Sequence, residues 1–140
     1  MAIVTIKKQD LFDPSNKVIG HGCNIYGSMS AGIAAAFKKL YPRNFLEYKK
    51  VCEEKNYETG DVLVFVENDR TILNIASQDY PGAHAKLEWI KTGLEVIDLL
   101  GYEEISLPWI GCGIGGLDRK DVYEVLVAAN IKQINVCEID

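Results

Sequence analysis

The chain has 140 residues, of which 48% are hydrophobic and 25% charged, a balance that suits one globular domain with a sizeable core. Fifteen basic against 20 acidic side chains give a net charge of −5, which argues against a basic face for polymeric nucleic acid. A small anion remains open to it, because backbone amides hold phosphate without lysine or arginine.

The elements follow from periodicity. Residues 2–7 are β-branched and predict a strand; Asp10-Leu11-Phe12-Asp13-Pro14 turns. Residues 17–23 predict a second strand, followed by a Gly/Ser-rich loop over 24–30. Residues 31–40 are small and apolar and end in Lys38-Lys39, which suits a helix with cations at its C-terminus. Pro42 starts another helix to about Glu54. The run Val62-Leu63-Val64-Phe65-Val66 is continuously apolar and predicts a strand buried on both faces. Asn68-Asp69 turns into a strand over 71–76, and the short connection makes this pair antiparallel. A loop covers 77–84. Leu87, Ile90, Leu94, Ile97 and Leu100 recur at helical spacing. Residues 104–107 form a short strand, Val122, Val125, Leu126 and Ala129 mark the last helix, and 133–139 close the chain as a strand.

This alternation predicts an α/β fold of three layers, α/β/α, around a mixed central sheet, built as one domain over 1–140. The longest apolar runs are too short to span a bilayer, and the N-terminus reads at once as a strand rather than a leader. A cytoplasmic monomer that does not engage membranes is therefore expected. Cys23, Cys52, Cys112 and Cys137 form no C-x-x-C pair, so free thiols are expected and no metal or other cofactor is implied.

Two glycine-rich turns carry the chemistry. The later one holds Ile110, Gly111, Cys112, Gly113, Ile114, Gly115, Gly116 and Leu117, then reaches Asp118 before a helix. Glycine lets backbone amides approach a ligand, and a loop entering a helix N-terminus offers free N–H groups to an anion. Gly111-Cys112-Gly113-Ile114-Gly115-Gly116 satisfies G-x-G-x-x-G, with Glu138 at a suitable distance, but a dinucleotide fingerprint opens its fold. Only residues 117–140 follow here, so phosphate contact survives and nicotinamide chemistry does not. The earlier turn, with Asn24, Gly27, Ser28, Met29, Ala31, Gly32 and Ile33, also follows a strand and opens a helix. Both turns can sit at the carboxyl edge of the sheet, where α/β folds bind ligands.

Taken together, Asp10-Leu11-Phe12, His21-Gly22-Cys23-Asn24 with residues 27–34, Asn74-Ile75-Ala76-Ser77-Gln78, and Pro108-Trp109-Ile110-Gly111-Cys112-Gly113 with Leu117-Asp118 resemble the macro domain. That family binds ADP-ribose, and the likeness runs in order along nearly the whole chain. It is nearest to the branch with the terminal ADP-ribose-protein glycohydrolase and the yeast-type ADP-ribose-1''-phosphate phosphatase. The resemblance implies that Asp10 accepts from the adenine amino group, with Leu11 helping through its backbone. Asn24 and the turn from Gly27 to Ile33 would hold the distal ribose, Gly111 to Leu117 would wrap the diphosphate, and Gln78 and Ile110 would join the ligand-binding set. Asp118 falls where the glycohydrolase carries its catalytic aspartate, and the phosphatase places a histidine in the motif of His21. Two departures stand out. Ser77-Gln78-Asp79 occupies the place of the glycohydrolase's lysine, and Cys137 stands where that branch has an aromatic residue on the last strand.

Simpler roles stand beside these. Asp118 can be a helix N-cap, His21 a hydrogen-bonded core residue, Asn24 and Asp10 turn residues, and Cys23 and Cys112 packing groups. The expected function is hydrolysis of a group on the distal ribose, with Asp118 and His21 catalytic. The substrate would be ADP-ribose-1''-phosphate or an O-acyl or carboxylate-linked ADP-ribose, including ADP-ribosylated protein. The alternative is a reader module that binds ADP-ribose without turnover.

Overall fold

The computed structural model describes residues 1–139. The elements are β1 (Ile3–Lys8), β2 (Val18–Asn24), α1 (Gly32–Leu40), α2 (Pro42–Glu53), β3 (Val62–Glu67), β4 (Arg70–Gln78), α3 (Leu87–Leu99), β5 (Glu104–Leu107), α4 (Arg119–Ala128) and β6 (Gln133–Glu138). They fall where periodicity puts them, with ends displaced by a residue or two. Pro42 opens α2, where its missing N–H costs no helical bond.

The strands form one mixed sheet in the order β1-β6-β5-β2-β4-β3. Every pairing is parallel except β3 with β4, which is antiparallel. Side chains of successive residues alternate between the two helical layers. Ile72 of β4 joins Ile19, Phe37 and Tyr41 on the α1 side. Leu73 and Ile75 join Ile90, Leu94, Ile97, Val122 and Leu126 on the face covered by α3 and α4. Among the described residues no helix is long and apolar enough to cross a membrane.

One expectation needs correction. The apolar run of β3 does not lie buried on both faces, because β3 is an edge strand: Val62 to Phe65 are only partly buried and Val66 is 61% exposed. The strand with the longest buried run is β4, flanked by β2 and β3 and buried from Ile72 to Ser77, although it carries Asn74 and Ser77. Asn74 is accommodated because its amide pairs with Asn44 of α2, at 2.8 and 3.1 Å, and with the Leu63 carbonyl. Glu67 at the end of β3 accepts from the Asn44 amide at 2.8 Å, which fastens the α2 N-terminus to the sheet.

Candidate functional site

The cleft arises from topology. β2 and β5 are neighbours and parallel, yet the chain leaves β2 toward α1 on one face and β5 toward α4 on the other. Two loops that part to opposite faces open a crevice at the carboxyl ends of their strands. The crevice holds about 310 Å³, and its lining comes from three loops, those after β2, β4 and β5.

The loop after β2 is tied by one side chain. Asn24 Oδ1 accepts from the amides of Tyr26, Gly27 and Ser28 at 3.0, 3.0 and 3.2 Å, and its Nδ2 donates to the Ser28 carbonyl at 2.9 Å. The buried Tyr48 hydroxyl of α2 donates to the Asn24 carbonyl at 2.7 Å. Asn24 therefore lines the cleft while its amide is spent on the turn, so the turn reading of this residue is correct. The loop delivers the start of α1 to the cleft. Ala31 is its N-cap and supplies no side-chain bond, which leaves the first helical amides unpaired and directed outward.

The loop after β5 is held by backbone. Leu117 N donates to Gly111 O at 2.9 Å, Cys112 N to Trp109 O at 3.1 Å and Gly116 N to Gly113 O at 3.3 Å. The amides of Gly113, Ile114 and Gly115 have no acceptor among the described residues. Gly115 cannot be replaced freely, since a Cβ there would lie 2.6 Å from Gly111 O and 2.9 Å from Ala85 Cβ. Ile114 reaches across toward the other loop, where a Cβ on Gly32 would meet its Cδ1 at 3.5 Å.

The third wall follows β4. Gln78 Nε2 donates to the carbonyls of Tyr80 and Gly82, and Ala85 N donates to Gly115 O at 3.2 Å. Tyr80 meets Tyr26 edge to face at 4.9 Å, so this loop joins both others. Ser77, Pro81 and Gly82 line the cleft, as do Gly22, Pro108 and Trp109, none of them among the binding residues expected from sequence. The loop carries only ordinary turn residues, and its role depends on contacts made after folding. Trp109 did carry a signal, as an aromatic side chain next to a glycine turn.

Of the expected binding residues, Asn24, Ser28, Ala31, Gly32, Ile33, Gln78, Ile110, Gly111, Gly113, Ile114 and Gly115 come together on the lining. Gly27, Met29, Cys112, Gly116 and Leu117 lie in the same loops but off the lining. Met29 is buried in a cluster with Tyr48 and Tyr57. Asp10 and Leu11 lie beyond the cleft at the end of β1. Asp10 accepts from the Phe12 amide at 2.9 Å, while Leu11 is buried.

His21 is not at the site, which corrects its expected catalytic role. It shares strand parity with Ile19 and Cys23 and so faces α1, fully buried and stacked on Phe37 at 3.7 Å between ring centres. Its Nε2 lies 2.9 Å from Asn74 Oδ1, an acceptor, so Nε2 carries the proton. Burial pushes its pKa down to about 4, against the pull of that bond. Asp118 caps α4: its exposed carboxylate accepts from Lys120 N at 2.8 Å, and it is not among the lining residues. Burial raises the thiols of Cys23 and Cys112, which makes both poor nucleophiles. No charged side chain lines the cleft, and no cluster of three or more potential metal ligands occurs, among the described residues. The site can hold an anion through amide dipoles, and its lining carries no carboxylate.

Comparison with known proteins matches these features. A family model described as the Macro domain covers residues 21–126. The ADP-ribose 1''-phosphate phosphatase of Candida albicans is 35% identical over 150 residues, covering 92% of this chain and 95% of that protein. The DNA ADP-ribosyl glycohydrolase of Mycobacterium tuberculosis is 31% identical over 135 residues, covering 91% of this chain. The chain spans only 38% of that relative's length. Among solved structures, the macrodomain of Mycobacterium tuberculosis DarG superposes with a TM-score of 0.84 at 28% identity, covering 97% of this chain and 98% of the other.

Proposed function

The chain belongs to the macro domain family, and from that premise we propose that its cleft binds ADP-ribose and hydrolyses a group carried on the distal ribose. The observation that carries this reading is the convergence of two sets of unpaired amides, at the start of α1 and at 113–115, on one uncharged cleft. Fixed N–H dipoles in such a crevice suit a diphosphate, whose charge they meet without reorganising.

The bound nucleotide then runs along the sheet edge. Its adenine lies toward the ends of β1 and β6, where Asp10 has its carboxylate. Trp109 stands between that end and the phosphate loop. Its indole is held by Glu138, at 3.2 Å from Nε1, and flanked by the Arg119 guanidinium at 5.4 Å from the ring. It supplies the aromatic wall that Cys137 does not. The distal ribose lies at the other end, beside the Asn24 turn and Gln78.

In this reading Asp118 takes a proton from the attacking water, and the loop amides stabilise charge on the departing oxygen. With ADP-ribose-1''-phosphate, water adds and ADP-ribose and inorganic phosphate leave. This small substrate, named for the relative whose length the chain nearly matches, suits a net charge of −5 better than DNA does. A reader module is the second reading, favoured by a lining without a charged side chain.

The test is incubation with ADP-ribose-1''-phosphate, an ADP-ribosylated glutamate protein and ADP-ribosylated single-stranded DNA, beside calorimetry with ADP-ribose. Hydrolysis of the first that falls at least about 100-fold in Asp118→Ala, with ADP-ribose affinity kept, is the expected result. Binding without turnover of any substrate makes the protein a reader. Absence of binding at millimolar ADP-ribose overturns both readings.

A further inference from the structure

Ser77 lies on the floor of the cleft, in the segment that stands in place of the glycohydrolase's lysine and carries no amine. The register of β4 on β2 breaks at this residue. Cys23 faces Ala76 and Asn24 faces Gln78, so Ser77 is the extra residue of a bulge. A bulge breaks the ladder locally and is found beside ligand sites, and Ser77 itself keeps the face of Leu73 and Ile75, next to Ile110. Here Ser77 becomes part of the cleft lining, although the residue is fully buried. Its backbone is bonded, the carbonyl accepting from Lys86 N at 3.1 Å. Its Oγ has no hydrogen-bond partner among the described residues.

A buried hydroxyl without a partner weakens a fold, and alanine would fill the same place without that loss. Space is also kept for the hydroxyl. The neighbouring residue of β2 is Gly22, where a Cβ would overlap Ser77 Oγ and press on Ile110 Cγ1 at 3.1 Å. β2 thus carries its smallest residue opposite the one polar group on the cleft floor whose bonding is left open. The position along the sheet says which part of a nucleotide it meets. β4 is the strand farthest from the end of β1 among those whose carboxyl ends border the cleft.

Resting on the ADP-ribose reading above, we infer that Ser77 Oγ is a specificity-determining contact for the distal ribose, hydrogen-bonding an oxygen at its substituted end, and that the bulge and Gly22 exist to present it. The site then distinguishes ADP-ribose from ADP through this hydroxyl, while the diphosphate amides serve both ligands alike.

Titration calorimetry with ADP-ribose and with ADP tests this on the wild type, Ser77→Ala, Gly22→Ala and the double variant, with thermal melting of each ligand-free protein. Ser77→Ala is expected to bind ADP-ribose about tenfold more weakly and ADP unchanged. Its ligand-free Tm stays level or rises, the opposite of what loss of a structural hydrogen bond does. Gly22→Ala displaces the hydroxyl and weakens ADP-ribose binding in the wild type but has little further effect in Ser77→Ala, where the oxygen is gone. Equal loss for both ligands, unchanged ADP-ribose affinity, or a Tm that falls with Ser77→Ala overturns the inference while the ADP-ribose reading stands. Failure of the wild type to bind ADP-ribose overturns that reading and the inference with it.

Discussion

The two loops that face each other across the cleft present amides in the same way but are held by different means. The loop after β2 depends on side chains: one asparagine accepts three amides and a buried tyrosine holds that asparagine's carbonyl. The loop after β5 depends on the lack of side chains, with backbone bonds from Gly111 to Leu117 and no room for a Cβ at Gly115. The first is a scaffolded turn and tolerates what its scaffold tolerates. The second is a close-packed turn, and what breaks it is added volume. Polar deletion and added bulk should therefore separate the two.

The largest effect is expected from bulk in the second loop. Gly115→Val brings a branched side chain against Gly111 O and Ala85 Cβ, so calorimetry should find ADP-ribose binding weakened about 100-fold or more, because loop and amides must move. Retention of affinity would show that this loop adjusts and that the contrast is false. Next comes Asn24→Ala, which leaves the Tyr26, Gly27 and Ser28 amides without their shared acceptor. Urea denaturation should show a loss of about 2 kcal/mol, and affinity should fall about tenfold.

The smallest effect concerns the sheet beneath the first loop. His21 has a pKa of about 4 in the fold and an ordinary value near 6.5 when unfolded. Between those values the unfolded chain binds a proton that the folded chain does not. Its contribution is complete above about pH 6.5 and is lost as pH falls toward 4, with a slope approaching about 1.4 kcal/mol per pH unit. Urea midpoints at pH 5 and pH 7 measure it, and His21→Gln should flatten the difference. An equal slope in the variant would assign the acid sensitivity to other groups.

Much of this arrangement is written locally in the chain. Helical spacing from Leu87 to Ile97, Pro42 at a helix start and the glycine runs each have a local physical cause, and each element appears where that cause puts it. What escaped local reading was set by neighbours in space. The Val62–Phe65 run is apolar enough for a central strand, but position in the sheet order made β3 an edge, while β4 keeps two polar residues at its buried centre. His21 looked like a catalyst because of its motif. Its parity with Ile19 and Cys23 already pointed it at α1, and that signal was present in the sequence. Ser77 and the loop to Ala85 could not be read in advance, because a bulge is a mismatch between two strands and neither strand records it alone.

Trp109 has a further consequence, for observation. The chain has two tryptophans, and Trp89 lies on α3 beneath the Lys86 ammonium, off the cleft lining. A Trp89→Phe protein keeps a single indole, anchored by Glu138 at the wall assigned to adenine. Its emission should change on titration with ADP-ribose and stay flat with ribose 5-phosphate, which lacks a base. The cleft thus carries its own optical reporter, and occupancy of one end of it can be followed in solution without a label.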